Sequence, residues 1–123
     1  MRLAGQTIIV RNPRTGLTIC TSARVADGFW SRLVGLLGET NLEAESGLWI
    51  LPSSGVHTFW MKFAIDVVAL DAQRRVIGVW RSVGPGKIRA LSPKTRSVLE
   101  LTAGRIAETG IQVGDVLDLQ RMK

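Results

Sequence analysis

The run Ala64-Ile65-Asp66-Val67-Val68-Ala69-Leu70, the insert Asp71-Ala72-Gln73-Arg74-Arg75 and the run Val76-Ile77-Gly78-Val79-Trp80-Arg81-Ser82-Val83 together decide the fold class. Two segments rich in β-branched residues flank a short polar loop, which is the pattern of a β-hairpin. Working outward, Gly47 to Leu51, Val56 to Met61, Ser97 to Leu101 and Val116 to Leu119 are further short apolar runs punctuated by Gly, Pro and Ser. Gln6 to Arg11 and Leu17 to Ala23 read as another hairpin around Asn12-Pro13-Arg14-Thr15-Gly16, where proline fixes one turn dihedral and glycine accepts positive φ. Gly114-Asp115 suits a tight turn. One helix is expected, over about 28–37: Asp27 can cap it, Phe29, Trp30, Leu33, Val34, Leu36 and Leu37 recur at three and four, and Gly38 stops it. The expectation is a mainly β protein, an antiparallel β-sandwich or partly open barrel of short strands with that one short α-helix.

The 123 residues fit a single domain spanning 1–123. With 46% hydrophobic and 21% charged residues, disorder, collagen-like repeats and coiled coil are excluded. Cys20 is the only cysteine and His57 the only histidine, so neither a disulfide nor a Cys/His zinc site can form within the chain. The apolar stretch Thr7 to Val10 is too short for a signal peptide and runs into Arg11. No window reaches the length of a membrane span, so a soluble, cytoplasmic protein is expected.

Net charge is +6, and its placement is more informative than its sum. Positions 1–71 balance, whereas Arg74, Arg75, Arg81, Lys87, Arg89, Lys94 and Arg96 lie between Asp71 and Glu100 with no acidic residue among them. Such a segment either keeps a small domain solvated or gathers an anionic partner. Gly84 to Pro93, with two prolines and two glycines, is the one long irregular stretch, and loops on rigid β scaffolds often carry binding.

Val83-Gly84-Pro85-Gly86-Lys87-Ile88 lacks the spacing of a phosphate loop, and no G-x-S-x-G elbow exists. A Cys20–His57 dyad competes with the commoner buried, inert thiol. The densest chemistry is Val56-His57-Thr58-Phe59-Trp60-Met61-Lys62-Phe63-Ala64-Ile65-Asp66. In a strand His57 and Met61 would lie ~13 Å apart, too far for one metal, so no metal and no cofactor is implied. Lys62 and Asp66 interrupt an apolar run, and buried ions need partners. Either they pair with each other or with Arg32, or Arg32, His57, Thr58, Lys62 and Asp66 converge on an anionic small molecule, with Trp49, Trp60 and Trp80 as walls.

Taken in order, Arg32-Leu33-Val34-Gly35-Leu36-Leu37, Gly47 to Pro52, His57-Thr58-Phe59-Trp60-Met61-Lys62, Ile65-Asp66, Val98-Leu99-Glu100-Leu101, Ala103-Gly104, Gly110-Ile111 and Gly114-Asp115 resemble the domain-of-unknown-function family 192, also called uncharacterised protein family 127. The resemblance runs from about Val25 to Leu119 and implies a compact, mainly β domain with no assigned activity. It places Arg32 in the family's R-x-x-G-L segment, His57, Thr58 and Lys62 in its H-T-x-x-M-[RK] core, Asp66 at the acid soon after, and Glu100 in the V-L-E-L strand. Phe63-Ala64 departs from the family, where an asparagine usually follows the basic residue, so no amide role carries over.

Residues and resemblance together suggest a noncatalytic binding or accessory domain, with a polar cleft of Arg32, His57, Thr58, Lys62, Asp66 and Glu100 for an anionic small molecule or an acidic macromolecule. The first alternative is a hydrolase-like or isomerase-like enzyme using His57 as acid or base, oriented by Asp66 or Glu100. The second is nucleic-acid binding through residues 74–96 with Trp80 stacking.

Overall fold

The computed structural model describes residues 6–26, 45–59 and 61–121. Its elements are β1 (Thr7–Asn12), β2 (Leu17–Ala26), β3 (Ser46–Ile50), β4 (Val56–His57), β5 (Ile65–Leu70), β6 (Val76–Val83), β7 (Ile88–Arg89), β8 (Ser97–Thr102), α1 (Arg105–Thr109) and β9 (Asp118–Arg121). Seven strands form one sheet in the order β6-β5-β8-β3-β2-β1-β9, and β4 and β7 make a separate two-stranded ribbon. Most of the expected strand runs are present, but Val56 to Met61 is strand only at Val56–His57, the last run begins at Asp118 rather than Val116, and the pairing is not wholly antiparallel, because β2 and β3 run parallel. A parallel pair needs a crossover of about a dozen residues or more, and the separation between Ala26 at the end of β2 and Ser46 at the start of β3 is long enough for one. The helix expected over 28–37, and Arg32 with it, lies outside the described residues. The described helix, α1, was not foreseen: five residues between Gly104 and Gly110 are too few to show a helical period.

The sheet curls toward closure. Residues just before β9 reach the start of β6, where Val76 N donates to Asp115 O at 2.7 Å, Gly114 N to Val76 O at 2.8 Å and Leu117 N to Arg74 O at 3.0 Å. Arg75 and Val116 form an isolated antiparallel bridge, while β9 itself pairs with β1. The segment 114–121 therefore stitches the two edges of the sheet at one end, giving a partly closed barrel. Burial follows. An inner cluster draws Val10, Ile19, Val25, Trp49, Val68 and Leu99 from five strands of the sheet, with Leu117 from its seam. An outer cluster draws Leu48, Ile50, Val67, Ala69 and Val98 from the opposite face and covers them with Val56, Met61 and Ala90. Strand β5 is buried along its whole length, as a strand covered on both faces must be.

Asp66 organises the inner face. Its carboxylate is fully buried and accepts three backbone N–H bonds: Ser82 N at 2.8 Å, Ile106 N at 2.8 Å and Gly104 N at 3.1 Å. The last two are donors at the start of α1, whose own N-cap residue, Gly104, has no side chain to offer them. Ser82 sits at φ 49, in the left-handed region costly for a non-glycine residue, opposite a register shift between β5 and β6. One carboxylate thus fixes a β-bulge and anchors the helix. Its pairing with Lys62 is not needed, because these donors satisfy the charge.

A second buried acid locks the seam. Asp115 accepts from Asn12 Nδ2 at 2.8 Å, from Gln112 N at 3.0 Å and from the Arg14 guanidinium, which also reaches Gly110 O at 2.8 Å. Burial alone pushes the Asp115 carboxyl up, but the bonds from Arg14, Gln112 and Asn12 outweigh it and hold the group below the usual carboxylate range. Burial also pushes the Cys20 thiol up to about 12, so it stays protonated and inert at neutral pH.

Asp66→Asn keeps the shape but sets an amide NH₂ against backbone donors, and is expected to lower unfolding free energy in urea by about 3 kcal/mol; a loss below about 1 kcal/mol contradicts the anchoring role. Asp115 has the lower pKa when folded, so its contribution is complete above the unfolded value of about 3.9 and disappears as pH falls through the folded value. The stability gap between the protein and Asp115→Asn should therefore be constant above about pH 5 and shrink in acid; a gap that widens in acid contradicts the assignment.

Candidate functional site

Among the described residues, the expected polar cleft does not assemble as one hollow. In neighbouring antiparallel strands, residues directly opposite share a face. Asp66 stands opposite Leu101, whereas Glu100 stands opposite Val67 and Leu48. Asp66 therefore points into the barrel and Glu100, also buried, points to the outer face. Thr58 is 1% exposed and holds a loop: Oγ1 donates to Gly84 O at 2.7 Å and accepts from Lys87 N at 2.9 Å, while Thr58 N donates to Lys87 O at 2.9 Å. His57 is half-buried on β4 and stacks on Phe59 with ring centroids 5.0 Å apart. Lys62 is exposed. Cys20 is fully buried in the inner cluster with its thiol held protonated, which suits the inert-thiol reading rather than a nucleophile. Trp49 is in the inner core, and the Arg74 guanidinium lies 5.9 Å from its ring centroid. Trp60 is outside the described residues.

A hollow of about 630 Å³ exists elsewhere on the outer face, between β5–β6 and the segment 88–95. Ala69, Ile77 and Trp80 form its floor, Ile88 to Ser92 its roof, and Val113 and Gly114 its end near the seam. Its cations are Arg75, Arg89 and Lys94, and its described lining contains no carboxylate and none of the described candidates His57, Thr58, Lys62, Asp66 or Glu100.

Local backbone irregularity builds the floor. Residues three apart on a regular strand point to opposite faces, yet Ile77 and Trp80 both pack outward while Val76 and Val79 pack inward. The cause is a register shift that sets Leu70 opposite Val76 but Ala69 opposite Gly78, so β6 carries one extra residue. The Trp80 ring then lies across Gly78, where any Cβ would overlap it. The roof is fixed as firmly. Strand β7 pairs with β4 through Val56–Arg89 and His57–Ile88, Thr95 Oγ1 donates to Ala90 O at 2.8 Å, and Ser92 N donates to Ser54 O at 3.1 Å. His57 and Thr58 thus position the roof of the hollow from outside it.

The basic segment signalled the hollow's cations in the sequence, and the irregular stretch 84–93 signalled its roof. The apolar floor gave no signal, because a bulge is invisible to residue alternation.

Fold and site define a class: a partly closed mixed β-barrel with a cation-rimmed, apolar-floored hollow outside its wall. Residues 10–119 match the family model DUF192, described as Uncharacterized ACR, and the chain belongs to that family. A UPF0127 protein of Thermococcus sibiricus is 29% identical over 100 residues, which cover 77% of this chain. The matched part spans 64% of that relative's length. A crystal structure of a Novosphingobium aromaticivorans protein of unknown function superposes with a TM-score of 0.75 at 22% identity, covering 91% of this chain and 83% of that one. A Sinorhizobium meliloti protein described as a candidate transcription regulator superposes with a TM-score of 0.76 at 18% identity, covering 97% and 96%. At these identities both structures show the shared fold. Among the described residues no helix is long and apolar enough to cross a membrane.

Gly78→Ala tests the floor. In an ordinary strand the change stabilises by about 0.5–1 kcal/mol. Here it must displace the Trp80 ring, so a loss of about 1–3 kcal/mol in urea unfolding is expected; a gain in stability contradicts the packing.

Proposed function

We propose that this chain is a noncatalytic binding domain whose ligand is an anion with an apolar body, held in the hollow between β6 and the segment 88–95. The supporting observation is the lining itself: three cations, no described carboxylate, and an apolar floor of Ala69, Ile77 and Trp80. Apolar contact supplies affinity in such a site, and a few charges fix orientation and select the ligand. A volume of about 630 Å³ suits a small molecule rather than a folded partner. Arg89 and Lys94 select the anionic end, Arg89 through a planar fork suited to carboxylate or phosphate.

The acid–base reading of His57 draws less support, because Asp66, one of its two carboxylate partners, faces the barrel interior and is engaged by α1 and the β6 bulge. Nucleic-acid binding loses its stacking platform, since Trp80 lies against Gly78 in the floor.

Thermal unfolding with decanoate, decanol and inorganic phosphate tests the proposal. Decanoate at a hundredfold excess over its Kd is expected to add about 2.7 kcal/mol, with decanol and phosphate each adding much less. Lys94→Ala and Arg89→Ala should fold normally and lose most of the decanoate effect. Equal shifts for decanoate and decanol, or undiminished shifts in both variants, contradict the proposal.

A further inference from the structure

The exposed apolar residues of this domain are not scattered. Six large hydrophobic side chains are exposed among the described residues, and three of them, Ile88 at 53%, Leu91 at 74% and Val113 at 61%, line the hollow. Two more adjoin it: Phe59 at 51% stacks on His57, the strand partner of Ile88, and Val116 at 44% bridges to Arg75. Lys87 and Arg89 flank Ile88 in Lys87-Ile88-Arg89-Ala90-Leu91, and Lys94 follows three residues after Leu91. Isolated exposed hydrophobics need no explanation, but a collar of them set among cations does.

We propose that this collar docks on an anionic lipid surface, with Ile88, Leu91 and Val113 entering the acyl boundary and Lys87, Arg89 and Lys94 meeting the headgroups. Proteins resting on a bilayer bury apolar side chains a few ångströms deep and use Lys and Arg to hold anionic lipid. Charge complementarity fixes the sign of the surface, since the hollow's described lining has three cations and no carboxylate. Geometry favours lipid over a folded acidic protein. Exposed Ile88, Leu91 and Val113 line a hollow rather than a flat face, and a fluid acyl layer follows such a contour whereas a rigid partner leaves it unfilled. The inference rests on the hollow binding an anionic amphiphile, and names a membrane leaflet as the place it meets one.

Flotation with vesicles tests it, using phosphatidylcholine alone and phosphatidylcholine containing phosphatidylglycerol. The protein is expected to float with the anionic vesicles and not with the neutral ones. Leu91→Asp, at a largely exposed side chain, should reduce binding about tenfold or more, and Lys87→Glu should reduce it severalfold, with unaltered circular dichroism. Absence of flotation with anionic vesicles at low salt overturns the proposal, as does flotation that Leu91→Asp leaves unchanged. Capture on polyglutamate without vesicle binding overturns it in favour of an acidic protein. Decanoate-induced stabilisation without vesicle binding overturns docking while leaving the hollow's ligand class standing. Vesicle binding that needs both Leu91 and Lys87, in a protein that decanoate does not stabilise, supports docking and removes the small-molecule reading.

Discussion

The buried carboxylate of Asp66 is the constraint on which the rest of the molecule depends. It accepts N–H bonds from Ser82 on β6 and from Gly104 and Ile106 at the start of α1. A charge taken into a core must find donors, and three well-placed amides offset the desolvation that one would not. The consequence is geometric. Ser82 is held in the left-handed region, the pleat of β6 is reset, and Val83 is turned onto the outer cluster beside the loop that Thr58 then grips. The same oxygen that receives Ile106 seats α1 against the inner core, where the Ile106 side chain is fully buried.

The hollow is a product of strand irregularity on that frame. A regular β6 would turn Ile77 and Trp80 to opposite faces; the extra residue near Gly78 gathers them on one. Opposite them, the short ribbon β4–β7 and the bond from Thr95 to Ala90 hold the roof away from the sheet without closing the space. The chain's excess positive charge then meets an apolar surface at one place, which is the combination an amphiphilic anion recognises.

Much of the fold was legible in the sequence. The hairpin of β5 and β6, the first hairpin and the strand runs at Gly47 to Leu51 and Ser97 to Leu101 were visible as β-branched residues between turn formers. The parallel step from β2 to β3 was not, since pairing direction depends on the crossover and not on either strand's own residues. The candidate cleft was less legible. Asp66 stood out as an acid within an apolar run and Glu100 through the family resemblance, yet the one-residue offset that puts Glu100 opposite Val67 sends them to opposite faces. Thr58 was a candidate ligand group as a member of the His57-Thr58 core motif; its side-chain bonds go to Gly84 and Lys87. The cations of the hollow stood in plain sight between Asp71 and Glu100, while Ile77, Leu91 and Val113 carried no sign of sharing a surface.

The most direct measurement is a two-dimensional amide NMR titration of the isotope-labelled chain with decanoate. Saturable shifts are expected, concentrated at Ile77, Trp80, Arg89, Leu91 and Val113, together with the indole N–H of Trp80. Shifts centred instead on Lys62 and the inner core around Trp49, or shifts spread evenly over all exposed cations, would contradict the proposed site.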